Sequence, residues 1–317
     1  MHTYSTSERF AALDEQDRGR LDALSKLDHY AAGEQVANSD HPAEWLFLIV
    51  RGKVELRAGR DAAEVVLATL EAGDLFGELE SFAQMPGLRY VALEETFAWA
   101  LAKNPLKQEL RLHRPLAAGM LSVYGRSISE KLRAASAALA ALPADAHGLS
   151  RPPPPARAAG DAEEVIGPLG RPAHLSAEEA GWLALLGAQR TVRAGETIVR
   201  EGDAGASFFV VATGRAQVRK RGVLDVEGER TLAELADGDL FGFMSFVDRK
   251  PRSASVIAVD DCVLAEIDAG ALETALRLNF TVSFRFLGTL CNVLGRTFRD
   301  TAEQILLAAS PVQDKRL

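Results

Sequence analysis

The sequence predicts a mainly β protein with flanking helices, built as two tandem domains that each end in a long helix. Three observations support this prediction. Segments of the first half recur in the same order in the second half. Short apolar segments with period-two alternation are separated by Gly/Asp turns about every 8 to 12 residues, which is typical of an all-β roll or barrel. Each half then closes with apolar residues at helical spacing.

The internal repeat consists of segments that recur at an offset of about 165 residues. Each matching pair shares turn residues and the apolar residues beside them. The pairs are YAAGEQV (30–36) with TVRAGETIV (191–199), EWLFLIVRGKVEL (44–56) with SFFVVATGRAQVR (207–219), and LATLEAGDLFGE (67–78) with LAELADGDLFGF (232–243). A fixed order of matches predicts two copies of one fold.

Each copy is predicted to begin with a helix and to end with a longer one. Ser7 and Ser176 are the predicted N-caps of helices over about 8–27 and 176–187, because acidic residues follow each serine. Two apolar stripes at three- and four-residue steps predict the long closing helices. Their residues are Leu116, Met120, Val123, Tyr124, Ile128, Leu132, Ala135 and Leu139 in the first copy, and Leu287, Leu290, Val293, Leu294, Phe298, Ile305 and Leu306 in the second.

A proline-rich segment separates the two copies. Residues 152–155 are four consecutive prolines, which disfavour a helix or sheet interior and favour an extended spacer. We therefore predict a first domain over 1–142, a linker over 143–172 and a second domain over 173–317.

Composition excludes several classes of function. With 47% hydrophobic and 25% charged residues the chain is typical of globular proteins, and its formal net charge of −8 disfavours general nucleic-acid binding. Cys262 and Cys291 form no CxxC pair, so we expect buried thiols and no metal site. A secretion signal and an apolar run long enough to span a bilayer are both missing, which predicts a cytoplasmic protein. No motif of an enzyme is present, so we expect neither catalysis nor a cofactor.

The loop GDLFGFMSFVDRKPRSASV (238–256) predicts an anion site. Gly242 allows a close backbone approach, and Arg252 supplies a guanidinium that pairs with phosphate through two hydrogen bonds. We expect this side chain to face a pocket and to contribute nothing to the core. The matching loop GDLFGELESFAQMPGLRYV (73–91) carries a carboxylate, Glu78, that can accept from a sugar hydroxyl, but it has no arginine after its proline.

These residues resemble the phosphate-binding cassette of the cyclic nucleotide-binding domain family, which includes the catabolite activator protein, the regulatory subunit of protein kinase A and cyclic-nucleotide-gated channels. The family pattern is F-G-E-L/I-A/S followed by P-R-S/A/T-A-S/T-V. Residues 241–256 match both parts and residues 76–79 match the first part. The resemblance covers about 10–140 and 173–308. It implies two β-rolls (double-stranded β-helix, jelly-roll-like) that hold cAMP or cGMP.

The resemblance also implies residue roles. The family's arginine pairs with the cyclic phosphate and its glutamate accepts from the ribose 2′-hydroxyl. Arg252 fits the first role, whereas Phe243 stands where the glutamate is expected. In the first copy Pro86 or Gly87 matches Arg252, depending on a one-residue gap. The candidate ligand-binding residues are Phe241, Gly242, Phe243, Met244, Ser245, Arg252, Ser253 and Ser255 in the second copy, and Phe76, Gly77, Glu78, Leu79 and Arg89 in the first.

Two hypotheses of function follow. The first is a cyclic-nucleotide-responsive regulator that signals through a protein partner, with the second roll as the favoured binder, because an unpaired phosphate charge is costlier than an unpaired hydroxyl. The second is a pseudo-sensor that serves as a protein-interaction scaffold without nucleotide. Direct DNA binding is not expected, because no helix-turn-helix follows 298–306. The long helices are expected to pair, either within one chain or across a homodimer.

Overall fold

The computed structural model describes residues 3–38, 44–59, 64–142, 186–221 and 229–309. It divides the chain into two compact units. The first comprises residues 1–147 together with 294–317, and the second comprises 148–293. The predicted linker lies outside the described residues, so the predicted domain boundaries stay a prediction.

Two four-stranded antiparallel sheets form the roll of the first unit, in the orders β1-β8-β3-β6 and β2-β7-β4-β5. Strands β4 and β7 alternate buried with half-buried residues, as expected for strands with one face in a core. The elements are α1 Glu15–Ala23, β1 Ser25–Tyr30, β2 Gln35–Asn38, β3 Trp45–Arg51, β4 Val54–Ala58, β5 Val65–Leu70, β6 Leu75–Phe76, α2 Leu79–Phe82, β7 Leu88–Ala92, β8 Thr96–Ala102, α3 Lys103–Leu112 and α4 Arg114–Ala141.

The predicted first helix over 8–27 is wrong in its extent. Ser7 precedes only a short 3-10 turn and makes no side-chain capping bond. The helix α1 begins after Asp14, whose carboxylate accepts from the backbone N–H of Asp17. From Ser25 onward the backbone pairs with β8 as strand β1, so sheet hydrogen bonds replace helical ones. Ser176 and residues 176–185 lie outside the described residues.

The long helix α4 closes the first unit and confirms the first predicted apolar stripe. Leu116, Met120 and Val123 belong to one buried cluster with Leu48 and Leu75 of the roll. Each fully buried leucine-sized side chain stabilises the fold by roughly 1.5–3 kcal/mol. The helix is therefore fixed to the roll along its first half by apolar packing.

The second unit repeats the same topology, in the orders β9-β16-β11-β14 and β10-β15-β12-β13, which confirms the predicted repeat and fold class. The elements are β9 Gly187–Val192, β10 Thr197–Val199, β11 Ser207–Thr213, β12 Ala216–Arg221, β13 Glu229–Leu235, β14 Leu240–Phe241, α5 Met244–Asp248, β15 Ser255–Ala258, β16 Cys262–Asp268, α6 Ala269–Leu278 and α7 Phe280–Ala309.

The helix α7 carries the second predicted stripe, of which Leu290, Leu294, Phe298 and Ile305 are buried. Its residues up to Val293 group with the second unit, and those from Leu294 onward group with the first. Both cysteines are buried, as predicted. None of the helices within the described ranges is long and apolar enough to cross a membrane.

Gly77 ends strand β6 with a φ of +96°, a conformation that favours glycine. A Cβ at this position would lie 2.5 Å from the carbonyl oxygen of Trp45. Gly73 also has a positive φ, +91°, but a Cβ there would meet nothing within 4 Å. Both positions thus share the cost of a positive φ, and only Gly77 adds a close steric contact.

We expect Gly77→Ala to destabilise the protein more than Gly73→Ala. Positive φ alone costs about 1–2 kcal/mol for alanine, and displacing the Trp45 carbonyl adds about 1–3 kcal/mol at Gly77. Urea unfolding of the two variants measures the difference. Equal losses of unfolding free energy would show that the backbone adjusts at no cost, and that the contact of position 77 with the Trp45 carbonyl is unimportant.

Candidate functional site

The strand registers match the strands on either side of the two cassettes. Strand β6 pairs with β3 in the same register as β14 pairs with β11, so Glu78 is equivalent to Phe243. Strands β7 and β15 also pair with β4 and β12 in a common register. Counting back along these strands matches Arg252 with Pro86, whereas counting forward from the left-handed residues Gln84 and Arg249 matches it with Gly87. Both matches therefore stay open, and neither gives the first copy a charged residue at this place.

Arg252 is buried, with 8% of its surface exposed, and bridges two backbone carbonyls. Its Nη1 donates to the carbonyl oxygen of Gly242 and its Nη2 to that of Ser207, each at 2.6 Å. The expectation of a side chain without a structural role is therefore wrong, because the guanidinium ties the start of α5 to strand β11. Burial lowers the pKa of this guanidinium.

The positive charge of Arg252 has no ion-pair partner among the described residues. Glu266 and Asp203 act on the guanidinium only through space. Buried charges are normally paired, because an isolated one loses its hydration without compensation. Arginine has five N–H donors, and the two carbonyl contacts do not use all of them. The site therefore suits an anion that supplies the missing charge.

Two glycines allow the close packing around Arg252. A Cβ at Gly205 would lie 3.0 Å from its Cζ, and a Cβ at Gly242 would lie 2.8 Å from its Nη1. The loop that contains Gly205 is also bonded to the cassette backbone, since the N–H of Gly202 donates to the Arg252 carbonyl at 3.0 Å and the Arg252 N–H donates to the Asp203 carbonyl at 2.8 Å. Any side chain at either glycine would displace the guanidinium.

The remaining predicted residues of the second copy surround this arginine. Phe243 and Ser245 are buried at the start of α5. The Ser253 hydroxyl lies 3.5 Å from the Met244 sulfur. Ser255 accepts through its hydroxyl from the backbone N–H of Glu201 at 3.0 Å. Phe241 stacks on Phe209 below the site, with ring centroids 5.0 Å apart.

Sequence reasoning missed a lysine on the inner face of β12. The ammonium of Lys220 donates to the Ser253 carbonyl at 2.6 Å and to Glu201 Oε1 at 2.9 Å. Lys220 follows Ala216 and Val218 at two-residue steps, and both pack in the core of the roll. This alternation in the sequence could have indicated that Lys220 lies on the inner face. In the structure its ammonium is a second cation beside the cassette.

The first copy lacks a guanidinium at the equivalent place. Pro86 is exposed, and Arg89 forms an ion pair with Glu64 from strand β7 with a third of its side chain exposed. Arg89 and Glu78 are therefore not brought together. The interior is filled by Tyr90, which is fully buried and packs on Phe76 with ring centroids 4.8 Å apart.

Glu78 is held by the long helix α4. Its Oε1 accepts from Lys131 Nζ at 2.7 Å and from the Ser127 hydroxyl at 2.9 Å. Lys131 also donates to the carbonyl of Leu75 at 2.6 Å. Both charged side chains are buried, with 0% and 2% of their surfaces exposed. The cassette and α4 are thus joined by an ion pair that is closed to solvent. Phe76, Gly77 and Leu79 are buried as well.

A second buried carboxyl lies beside this pair. Both carboxylate oxygens of Glu80 are buried, and the carboxyl lies beside the hydroxyl of Tyr90. Burial raises the pKa of the Glu80 carboxyl, and the nearby Lys103 opposes this rise. Burial in turn lowers the pKa of the Lys103 ammonium. Burial also raises the pKa of the Tyr90 hydroxyl, with further contributions from Glu80 and Glu78.

Comparison with protein families gives a match in both rolls. The family model described as the cyclic nucleotide-binding domain matches residues 27–113 and 189–279, more than half of the chain. A cAMP-dependent protein kinase regulatory subunit of Emericella nidulans is 25% identical over 295 residues, which cover 90% of this chain and 58% of that protein. One of Mycosarcoma maydis is 32% identical over 111 residues, which cover 34% of this chain and 19% of that protein. The chain spans less than two thirds of these relatives.

Solved structures also resemble the chain. The regulatory domain of Toxoplasma gondii PKA, co-crystallised with cAMP, is 18% identical with a TM-score of 0.31, and the match covers 88% of this chain and 90% of that one. The catabolite activator protein of Thermus thermophilus is 30% identical with a TM-score of 0.35, and the match covers 39% of this chain and 56% of that one.

We expect Lys131→Met to destabilise the protein by about 3–5 kcal/mol, because it leaves the buried carboxylate of Glu78 without a charge partner. Adding Glu78→Leu should recover most of this loss. The matched control is Lys53→Met, which breaks an exposed pair with Glu71 and should cost about 1 kcal/mol or less. Chemical unfolding measures all three. A Lys131→Met loss as small as that of the control would contradict a closed ion pair.

We expect Glu80→Gln to change the pH dependence of stability. A carboxyl whose pKa is raised on folding binds its proton more tightly in the folded state, so the native protein loses stability as the pH rises above the ordinary value of 4.5. The glutamine variant lacks this loss. Its free energy of unfolding, relative to that of the native protein, should therefore increase between acidic and neutral pH. Unfolding midpoints at several pH values measure the gain, with the exposed Glu94→Gln as control. Parallel profiles would show that Glu80 is solvated.

Proposed function

Because the chain belongs to the cyclic nucleotide-binding domain family, we propose that its second domain binds a cyclic nucleotide of the cAMP or cGMP type. The protein is then a non-enzymatic regulator that passes this signal to a protein partner. The observation that carries the proposal is the buried guanidinium of Arg252, which has no carboxylate partner among the described residues.

The charge at Arg252 fits a cyclic phosphate. Such a phosphate carries one negative charge, and arginine is suited to pair with it through two parallel hydrogen bonds. The backbone of Gly242 lies next to the guanidinium, and the small side chains of Ser245 and Ser253 lie in the same loop region. We assign the ligand contacts of the second domain to this set, with Phe241, Phe243, Met244 and Ser255 as its surroundings.

We propose that the first domain has a structural role instead. Neither Pro86 nor Gly87 supplies the charge of the arginine, and the carboxylate of Glu78 is occupied by Lys131. A ligand contact with Oε1 of Glu78 would require this ion pair to open, and Arg89 is already paired with Glu64. The first roll with its bonded α4 then serves as the rigid part that a protein partner recognises. The relatives described as regulatory subunits of a protein kinase support a regulator of this kind.

A scaffold without nucleotide is the second candidate. It is favoured by Phe243, a buried ring at the place where the other copy has a carboxylate. In this case the guanidinium of Arg252 would act only as a brace between two carbonyls. The two candidates differ in one measurable property, which is binding of a cyclic nucleotide by the full chain.

We expect the full chain to bind cAMP or cGMP with one site, measured by calorimetry. Arg252→Lys keeps the charge but not the paired geometry, and should weaken binding by about 10- to 150-fold. The control is Arg249→Gln, which removes an exposed charge from the same loop and should leave the affinity unchanged.

A melting curve must accompany the Arg252→Lys titration, because this variant also loses a carbonyl contact, at a cost of about 1–3 kcal/mol of stability. Absence of binding by the native chain at millimolar nucleotide would favour the scaffold. Equal affinity of a folded Arg252→Lys variant would place the ligand elsewhere.

A further inference from the structure

Lys220 marks a further difference between the two copies beside the cassette. Strand β12 pairs with β13 and β15 in the register in which β4 pairs with β5 and β7, with a register shift after the third residue of each strand. This common pattern makes Lys220 equivalent to Ala58, which is fully buried. The second copy therefore carries an ammonium group where the first carries only a methyl group.

Lys220 connects three segments of the second roll. Its Nζ donates to the Ser253 carbonyl of the cassette at 2.6 Å and to Oε1 of Glu201 at 2.9 Å. Glu201 belongs to the loop 200–206 between β10 and β11, and its Oε2 accepts from the backbone N–H of Arg221 on β12 at 3.1 Å. The side chains of Lys220 and Glu201 are 13% and 22% exposed, so solvent screens their attraction less than that of an exposed pair.

The loop 200–206 holds Arg252 at both ends. At the backbone, the N–H of Gly202 donates to the Arg252 carbonyl at 3.0 Å, and the Arg252 N–H donates to the Asp203 carbonyl at 2.8 Å. At the guanidinium, a Cβ on Gly205 would lie only 3.0 Å from Cζ. A displacement of this loop would therefore move the backbone of Arg252 and open space beside its charged group.

The ion pair and the arginine occur together in the second copy and are both missing from the first. Strand register, and spacing from the Ala-Gly-Glu that both copies share, identify the counterparts of Glu201, Lys220 and Arg252. These counterparts are Ser39, Ala58, and Pro86 or Gly87. None of them is charged, and Ser39 lies outside the described residues. This shared presence indicates that the ion pair serves the cassette that contains the arginine.

We propose that Lys220 is a positioning residue of the second site. Through Glu201 and the Ser253 carbonyl it fixes the loop 200–206 against the cassette, and thereby sets the place of the Arg252 guanidinium for an anionic ligand. Because Glu201 balances its charge, Lys220 acts on the ligand through Arg252 and not as a phosphate contact of its own. The inference rests on the proposed function.

The first part of the test uses hydrogen exchange on the full chain without ligand. Lys220→Met removes both contacts of the ammonium, so the amides of Gly202 and Arg252 should exchange about tenfold faster or more, whereas those of β16 should change little. Lys220→Arg keeps a charged donor and should restore most of the protection. The control is Arg215→Gln, which breaks an exposed ion pair with Asp260 in the same roll and should leave these amides unchanged.

The second part measures binding of cAMP and cGMP by calorimetry. Lys220→Met should weaken binding by about 3- to 10-fold, because Arg252 remains and only its placement changes, and Lys220→Arg should recover most of the affinity. In an Arg252→Lys background the same substitution should cost about twofold or less, since the paired geometry that Lys220 maintains is already lost. A lysine that contacts the ligand directly would cost the same in both backgrounds.

Melting curves show which variants are folded. If Lys220→Met does not fold, Glu201→Gln replaces it in both parts, because it keeps the size of the side chain and removes the charge that pairs with Lys220. The same local loss of protection and the same loss of affinity are expected from this variant.

Each outcome has a defined meaning. A local loss of protection that arginine restores, together with a loss of affinity that depends on Arg252, supports the inference. Unchanged or uniformly faster exchange, or an equal loss of affinity in both backgrounds, overturns it and leaves the proposed function intact. Absence of binding by the native chain overturns the proposed function, and the inference with it.

Discussion

The cassette of the second roll depends on one interaction, the bridge that Arg252 makes between the carbonyls of Gly242 and Ser207. The bridge links the start of α5 to strand β11, and it holds a positive charge inside the protein. The backbone can approach the guanidinium this closely only because positions 205 and 242 are glycines. The bridge depends on these glycines, because a side chain at either position would displace the guanidinium.

The first roll also contains a buried charge, and there the charge is paired with another residue of the protein. Glu78 stands in the cassette and Lys131 comes from α4, and their ion pair is closed to water. Removing one partner of such a pair is strongly destabilising, because the other charge is left buried without compensation. The two copies thus share a backbone and differ in where the compensating charge comes from. In the first copy it comes from a helix, and in the second we propose that a ligand supplies it.

The sequence could predict the parts of this arrangement that depend on local pattern. Alternation predicted the strands, the spacing of Leu116, Met120 and Val123 predicted α4, and the repeat predicted a common topology. The ion pair of Glu78 with Lys131 could not be predicted, because it joins segments far apart in sequence and no local pattern selects the partner. The one-residue gap between the two cassettes lies in the loop before β7 and β15, so the strand registers match these strands and leave the loop residues open.

This difference between the copies bears on how a ligand could act. A ligand that binds only the folded second roll stabilises that roll in proportion to its concentration above the dissociation constant. Under the proposed function, the ligand would supply the negative charge that the guanidinium of Arg252 lacks among the described residues. The first roll has no such deficit, since Lys131 already neutralises Glu78. Under the proposed function, we therefore expect a response to an anion at the second copy, where the described residues leave the guanidinium of Arg252 without an ion-pair partner.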